Sequence, residues 1–90
     1  MDRERLNRLR EALNQEHSWP SVFMFKFILP NDEAKITALK QVFGESASFT
    51  TKLSGKGNYI SITVHEMMLD ADSIFFRYTI AARIEGIISL

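Results

Sequence analysis

Two spacings of apolar residues alternate along the chain. From Asp2 to about Glu16, Leu6, Leu9 and Leu13 recur at i, i+3 and i+7 with Ala12 beside them, the period of a helix with one apolar stripe. Arg3, Arg5, Arg8 and Arg10 interleave with Asp2, Glu4 and Glu11, so ion pairs one turn apart are available. His17-Ser18-Trp19-Pro20 ends this helix, because the residue before a proline avoids the helical region. The period then changes to two. Ser21 to Leu29 puts Phe23, Phe25, Phe27 and Leu29 on one side and Val22, Met24, Lys26 and Ile28 on the other. Apolar residues on both sides predict a central strand.

Pro30-Asn31-Asp32 marks the next boundary, with Asn31 or Asp32 as a helix cap. Ile36, Leu39, Val42 and Phe43 give a second helical stripe, and Gly44 is its expected stop. Ser48 to Leu53 reads as a short strand with Phe49, Thr51 and Leu53 on one side. Gly55 to Asn58 reads as a turn in which Gly55 and Gly57 supply positive φ and Asn58 tolerates it. Tyr59 to Met67 is the clearest strand, with Ile60, Ile62 and Val64 opposite Tyr59, Ser61, Thr63 and His65.

Asp70-Ala71-Asp72 begins a third helix. Ile74, Tyr78 and Ala81 form its core row, and Phe76, Ile80 and Ile84 a second row at i, i+4 and i+8. That arc is wider than one sheet face covers, so the N-terminal helix or a second subunit is expected over the remainder. Gly86 is read as its end and Ile87 to Leu90 as a short closing strand.

The predicted order is helix, strand, helix, strand, strand, helix, strand. Residues 1–18 are a helix and linker, and residues 19–90 one α+β domain. The pattern is that of a ferredoxin-like βαββαβ sandwich, with two helices on one face of a four-stranded antiparallel sheet. The first and third strands fall at its centre. The other face has no helix of its own there. It carries Met24, Lys26 and Ile28 beside Tyr59, Ser61, Thr63 and His65, a mixed surface to be covered by the N-terminal helix, paired with another subunit or used for binding.

Composition narrows the function. At 90 residues the core is small, since a domain of this size buries only about 60–65% of its unfolded surface. There is no cysteine to add a disulfide or a thiolate metal site, which leaves oligomerisation as the common support and fits a reducing compartment. Eleven basic and eleven acidic residues cancel, so no excess field holds nucleic acid or anionic lipid. The charged N-terminus has no apolar signal core, and no run approaches the ~18 apolar residues of a membrane span. A cytoplasmic, soluble protein with no membrane is expected, and RNA binding stands as a third reading, behind a protein partner and a small ligand.

Candidate chemistry is sparse. Lys56, Gly57 and Asn58 sit in a Gly-Lys-Gly stretch that invites comparison with a phosphate-binding loop. Such a loop needs Ser or Thr after the lysine and a helix beyond it, whereas Gly57 and a strand follow here. An RNA-reading strand needs aromatics at the stacking positions, which hold Asn58, Ile60 and Thr63. His17 and His65 have no second metal ligand at fixed spacing, and no nucleophile elbow accompanies the serines. We expect no enzyme, no cofactor and no metal. A regulatory or protein-interaction module is expected, as a homodimer or with a protein partner. The second reading is a sensor of a small anionic ligand at Lys56 and Asn58 or at a subunit interface.

"WPSVFMFKFILP", "SGKGNYISITV" and the closing "GIISL" resemble the YbeD-like bacterial proteins of unknown function. The matching positions are Trp19, Pro20, Phe23, Phe25, Lys26, Ser54, Lys56, Gly57, Asn58 and Tyr59, and the likeness spans roughly residues 19 to 90. The resemblance implies a ferredoxin-like fold similar to ACT regulatory domains, and it implies no activity. ACT domains often bind amino acids beside a glycine-containing loop after the first strand. The corresponding loop here, Leu29 to Glu33, has no glycine, which argues against amino-acid sensing.

Overall fold

The computed structural model describes residues 2–90. Helix α1 spans Arg3–Glu16 and is capped by Asp2, whose Oδ1 accepts from the Glu4 and Arg5 amides at 2.9 and 3.2 Å. After it the backbone turns extended at His17, and a cis Trp19–Pro20 peptide leads into strand β1, Ser21–Pro30. Helix α2 runs Glu33–Val42, with Asp32 accepting from the Ala34 and Lys35 amides. Strands β2, Ser48–Leu53, and β3, Tyr59–Met68, form a hairpin. Helix α3 covers Ala71–Ala81, and β4 is the two-residue strand Ile88–Ser89.

The four strands make one antiparallel sheet in the order β2-β3-β1-β4. The two most apolar strands lie side by side at its centre, as the sequence pattern predicts. Their register sets Phe25 opposite Val64 and Phe27 opposite Ile62. The alternation is sharp: Phe25, Phe27, Leu29, Ile62 and Val64 are fully buried, while Val22, Met24, Lys26 and His65 are exposed. Leu39 and Phe43 of α2 and Ile74 and Ala81 of α3 join the buried side chains in one core. Phe25 holds its centre, with the Phe43 and Tyr78 rings 5.0 and 5.2 Å away. These features are consistent with a ferredoxin-like fold.

Helix α1 lies against α3, not across the sheet. The Arg10 guanidinium pairs with Asp72 at 2.7 Å and sits over the Phe75 ring, and Leu13 reaches the core. This covers part of the wide apolar arc of α3, while Phe76 stays 61% exposed.

Three local readings need correction. The third helix ends at Ala81 instead of continuing to Gly86. Beyond Ala81 the chain tightens into i→i−3 bonds from the Arg83 and Ile84 amides to the Ile80 and Ala81 carbonyls. Ile84 therefore lies outside the helical row assigned to it. In the β2–β3 turn only Gly57 has positive φ, at +74°, and neither Gly55 nor Asn58 does. Finally, Gly44 does follow the end of α2, but without a left-handed backbone. It has to be small because a Cβ there would sit 2.8 Å from the Glu66 carboxylate.

Candidate functional site

The helix-free side of the sheet is built by strand parity. Even residues of β1 and odd residues of β3 share it, because side chains alternate with period two. The register orders them in rows across the strands: Val22 with Met67, Met24 with His65 and Ser48, Lys26 with Thr63 and Thr50, Ile28 with Ser61, Lys52 and Ile88, and Pro30 with Tyr59. All six residues expected on this surface, Met24, Lys26, Tyr59, Ser61, Thr63 and His65, therefore lie on one face. Met24 and Tyr59 are 54% and 51% exposed, Lys26 and His65 are exposed, and Ser61 and Thr63 are half-buried between neighbouring strands.

The register adds further members to the six expected on this face. Val22, Met67 and Lys52 follow from the same alternation once the hairpin register is fixed. Ile88 and Leu90 needed the pairing of β4, which a two-residue strand does not announce. Leu90 donates its amide to the Lys26 carbonyl at 2.9 Å and so joins the Lys26 row. Val22, Met24, Met67, Ile88 and Leu90 are each about half exposed or more. Two apolar clusters result, Val22, Met24 and Met67 at one end and Ile28, Ile88 and Leu90 along β4, with the hydroxyls of Ser48, Thr50, Ser61 and Thr63 beside them on β2 and β3.

Charge on this face is one-sided. Lys26 and Lys52 bring two ammonium groups, and His65 an imidazole. None of the four strands places an Asp or Glu here. The strand carboxylate, Glu66, is one residue from His65 and so points into the core.

Lys56, Gly57 and Asn58 lie beyond the end of this surface. They form the turn after β2, closed by the Gly57 amide donating to the Ser54 carbonyl and the Ser54 amide to the Tyr59 carbonyl, both at 2.9 Å. The carbonyls of Gly57 and Asn58 accept from the Asn31 side chain and amide, each at 2.9 Å. The turn is thereby tied to the loop before α2. Next to it lies a shallow, mostly apolar cleft of about 210 Å³ lined by Ile28, Lys52, Leu53, Ser54, Tyr59, Ile60 and Ser61.

The one strongly organised polar cluster lies on the opposite side of the sheet. Glu66 is 4% exposed. Its Oε2 accepts from the Gly44 amide at 2.6 Å, and its Oε1 lies 3.1 Å from Arg77 Nη2. The Oε1 contact lacks hydrogen-bond alignment, so charge attraction is what it contributes. Arg77 also donates to the Val42 carbonyl and rests over the Phe43 ring. Every group in the cluster binds the C-terminal end of α2, which makes it a clamp between α2, β3 and α3. His17 is likewise engaged locally, with Nδ1 3.1 Å from Ser21 Oγ and its ring stacked on Trp19.

Among the described residues there is no group of three or more His, Cys, Asp or Glu side chains placed to hold a metal ion, and no helix long and apolar enough to cross a membrane. Comparison with known protein families, with curated proteins and with solved structures finds no match.

Proposed function

We propose that the chain is a non-catalytic interaction module of ferredoxin-like βαββαβ architecture, working through the helix-free face of its sheet. One observation carries the reading. The face exposes Val22, Met24, Met67, Ile88 and Leu90 beside the polar side chains of β2 and β3, and α1, the element free to cover it, lies on α3. An apolar surface rimmed by polar groups is the usual mark of a contact site. The titratable residue most thoroughly buried, Glu66, is committed to holding α2. The resemblance to YbeD-like proteins, carried by the residue 54–59 turn motif and the strand entry at Trp19, is part of this proposal, as are a regulatory role and a cytoplasmic setting.

A photo-reactive side chain placed at Thr63, mid-face, tests this in native cells. A specific protein adduct is expected from Thr63 and not from Thr37, an exposed position on α2. Equal or absent labelling at both positions would remove the reading.

The cleft beside Tyr59 supports a second reading, a small-ligand sensor. Lys52 and the Ser54, Ser61 and Tyr59 hydroxyls could meet an anionic group over the apolar floor of Ile28 and Ile60. A ligand in hundredfold excess over its Kd would stabilise the fold by ~2.7 kcal/mol. A thermal-shift screen of common carboxylates and phosphates without any stabilisation would exclude it.

A further inference from the structure

We propose that the helix-free face docks an acidic amphipathic protein segment, a helix bearing carboxylates beside an apolar stripe. This rests on the interaction reading above and names the class of partner. The whole chain is neutral, yet on this face Lys52, Lys26 and His65 fall on three different strands in three successive rows, and no strand residue there is acidic. A partner that offers carboxylates to those ammonium groups gains steering and register. The neighbouring Met24, Ile28 and Ile88 supply apolar area for its stripe.

The same map disfavours a second copy of the chain, the partner the composition alone suggests. A two-fold pairing of this face meets only the same face of the second copy, which has no strand carboxylate to answer Lys26 or Lys52 whatever the direction of the axis. Nucleic acid is disfavoured for a different reason. Sheets that bind single strands stack bases on aromatic side chains. The aromatic strand residues Phe23, Phe25, Phe27 and Phe49 all pack on the core side, which leaves Tyr59 for the open face.

Size points the same way. The two central strands have ten residues each, about 33 Å at ~3.3 Å per residue, and four strands ~4.8 Å apart span about 14 Å. The flat extent of the face is therefore about 33 Å by about 14 Å. It matches one helix of roughly 20 residues, ~10 Å wide.

The test uses the full chain, labelled with nitrogen-15, and three probes. These are a 20-residue leucine/glutamate amphipathic peptide, its leucine/lysine counterpart and an eight-residue oligouridylate. Glutamate-peptide binding should shift amides of β1 and β3. The variant Lys26→Glu/Lys52→Glu, at two exposed positions, should keep the fold's melting temperature. It should bind the glutamate peptide at least tenfold more weakly and prefer the lysine peptide. Equal binding of the two peptides, no binding of the glutamate peptide, or preferential oligouridylate binding would overturn the proposal. A dimer of the chain alone that Met24→Asp dissociates would also overturn it. An adduct from Thr63 combined with failure of the glutamate peptide would leave the interaction reading standing and remove only the acidic partner. Loss of the Thr63 adduct would remove the broader reading.

Discussion

Glu66 occupies a position where Ile60, Ile62 and Val64 lead one to expect a further apolar side chain. Burying a carboxylate is costly unless it is paired and hydrogen-bonded, and here Arg77 and the Gly44 amide supply both. Removing one member leaves the other buried without its partner, which costs more than the pair contributes. We expect Glu66→Ala to lower stability by about 3 kcal/mol, near the low end for buried pairs because Arg77 is partly exposed. The double variant Glu66→Leu/Arg77→Met should lose less than the sum of Glu66→Leu and Arg77→Met. Urea denaturation of the four proteins gives the coupling. By contrast, the Arg10–Asp72 pair is solvent-exposed, so Arg10→Ala should cost under ~1 kcal/mol in the same assay.

Tyr78 gives a residue-level prediction in pH. Half-buried beside Phe25 and Phe27, its phenol is pushed above its ordinary value of about 10 by desolvation. The folded chain thus holds this proton more tightly than the unfolded chain does. The resulting stability is fully present below about pH 10 and is lost as pH rises through the folded value. Melting temperature should fall faster above pH 10 in the native chain than in Tyr78→Phe. Parallel curves would show that another group governs the alkaline limb.

At the scale of elements, hydrophobic period was a sufficient guide where a face is buried. Both central strands and the partition of each strand into two faces were legible because burial on one side enforces alternation, and the start of α2 was narrowed to Asn31 or Asp32 by their capping chemistry. Glu66 was not, because a lone carboxylate at a core parity position gives no sign of the arginine that will meet it eleven residues later. The end of α3 was missed for a similar reason. Arg83 and Ile84 fit a helix by propensity, but the turn toward β4 draws them into a tighter conformation. Half of the open face was visible in the sequence, and the rest depended on register and on a two-residue strand. The β2–β3 turn yields a clean contrast. Gly57 has φ +74° and open space around its Cβ direction, so Gly57→Val should cost roughly 1–2 kcal/mol through backbone strain alone. Lys56→Ala should leave the denaturation midpoint nearly unchanged, since the charge plays no part in closing the turn.

Over the whole molecule, the arrangement is asymmetric by construction. Three helices and every buried aromatic side chain lie to one side of a sheet whose other side retains half-exposed aliphatic residues and two lysines. Another molecule should cover that side in the cell, and the methionines report on its coverage directly. Hydroxyl-radical footprinting should oxidise Met24 and Met67 readily in the purified chain, while the adjacent Met68, 3% exposed, stays protected as an internal reference. In native cells Met24 and Met67 should become protected several-fold while Met68 is unchanged. Equal oxidation of Met24 and Met67 in cells and in dilute solution would contradict the claim that this face is a contact surface.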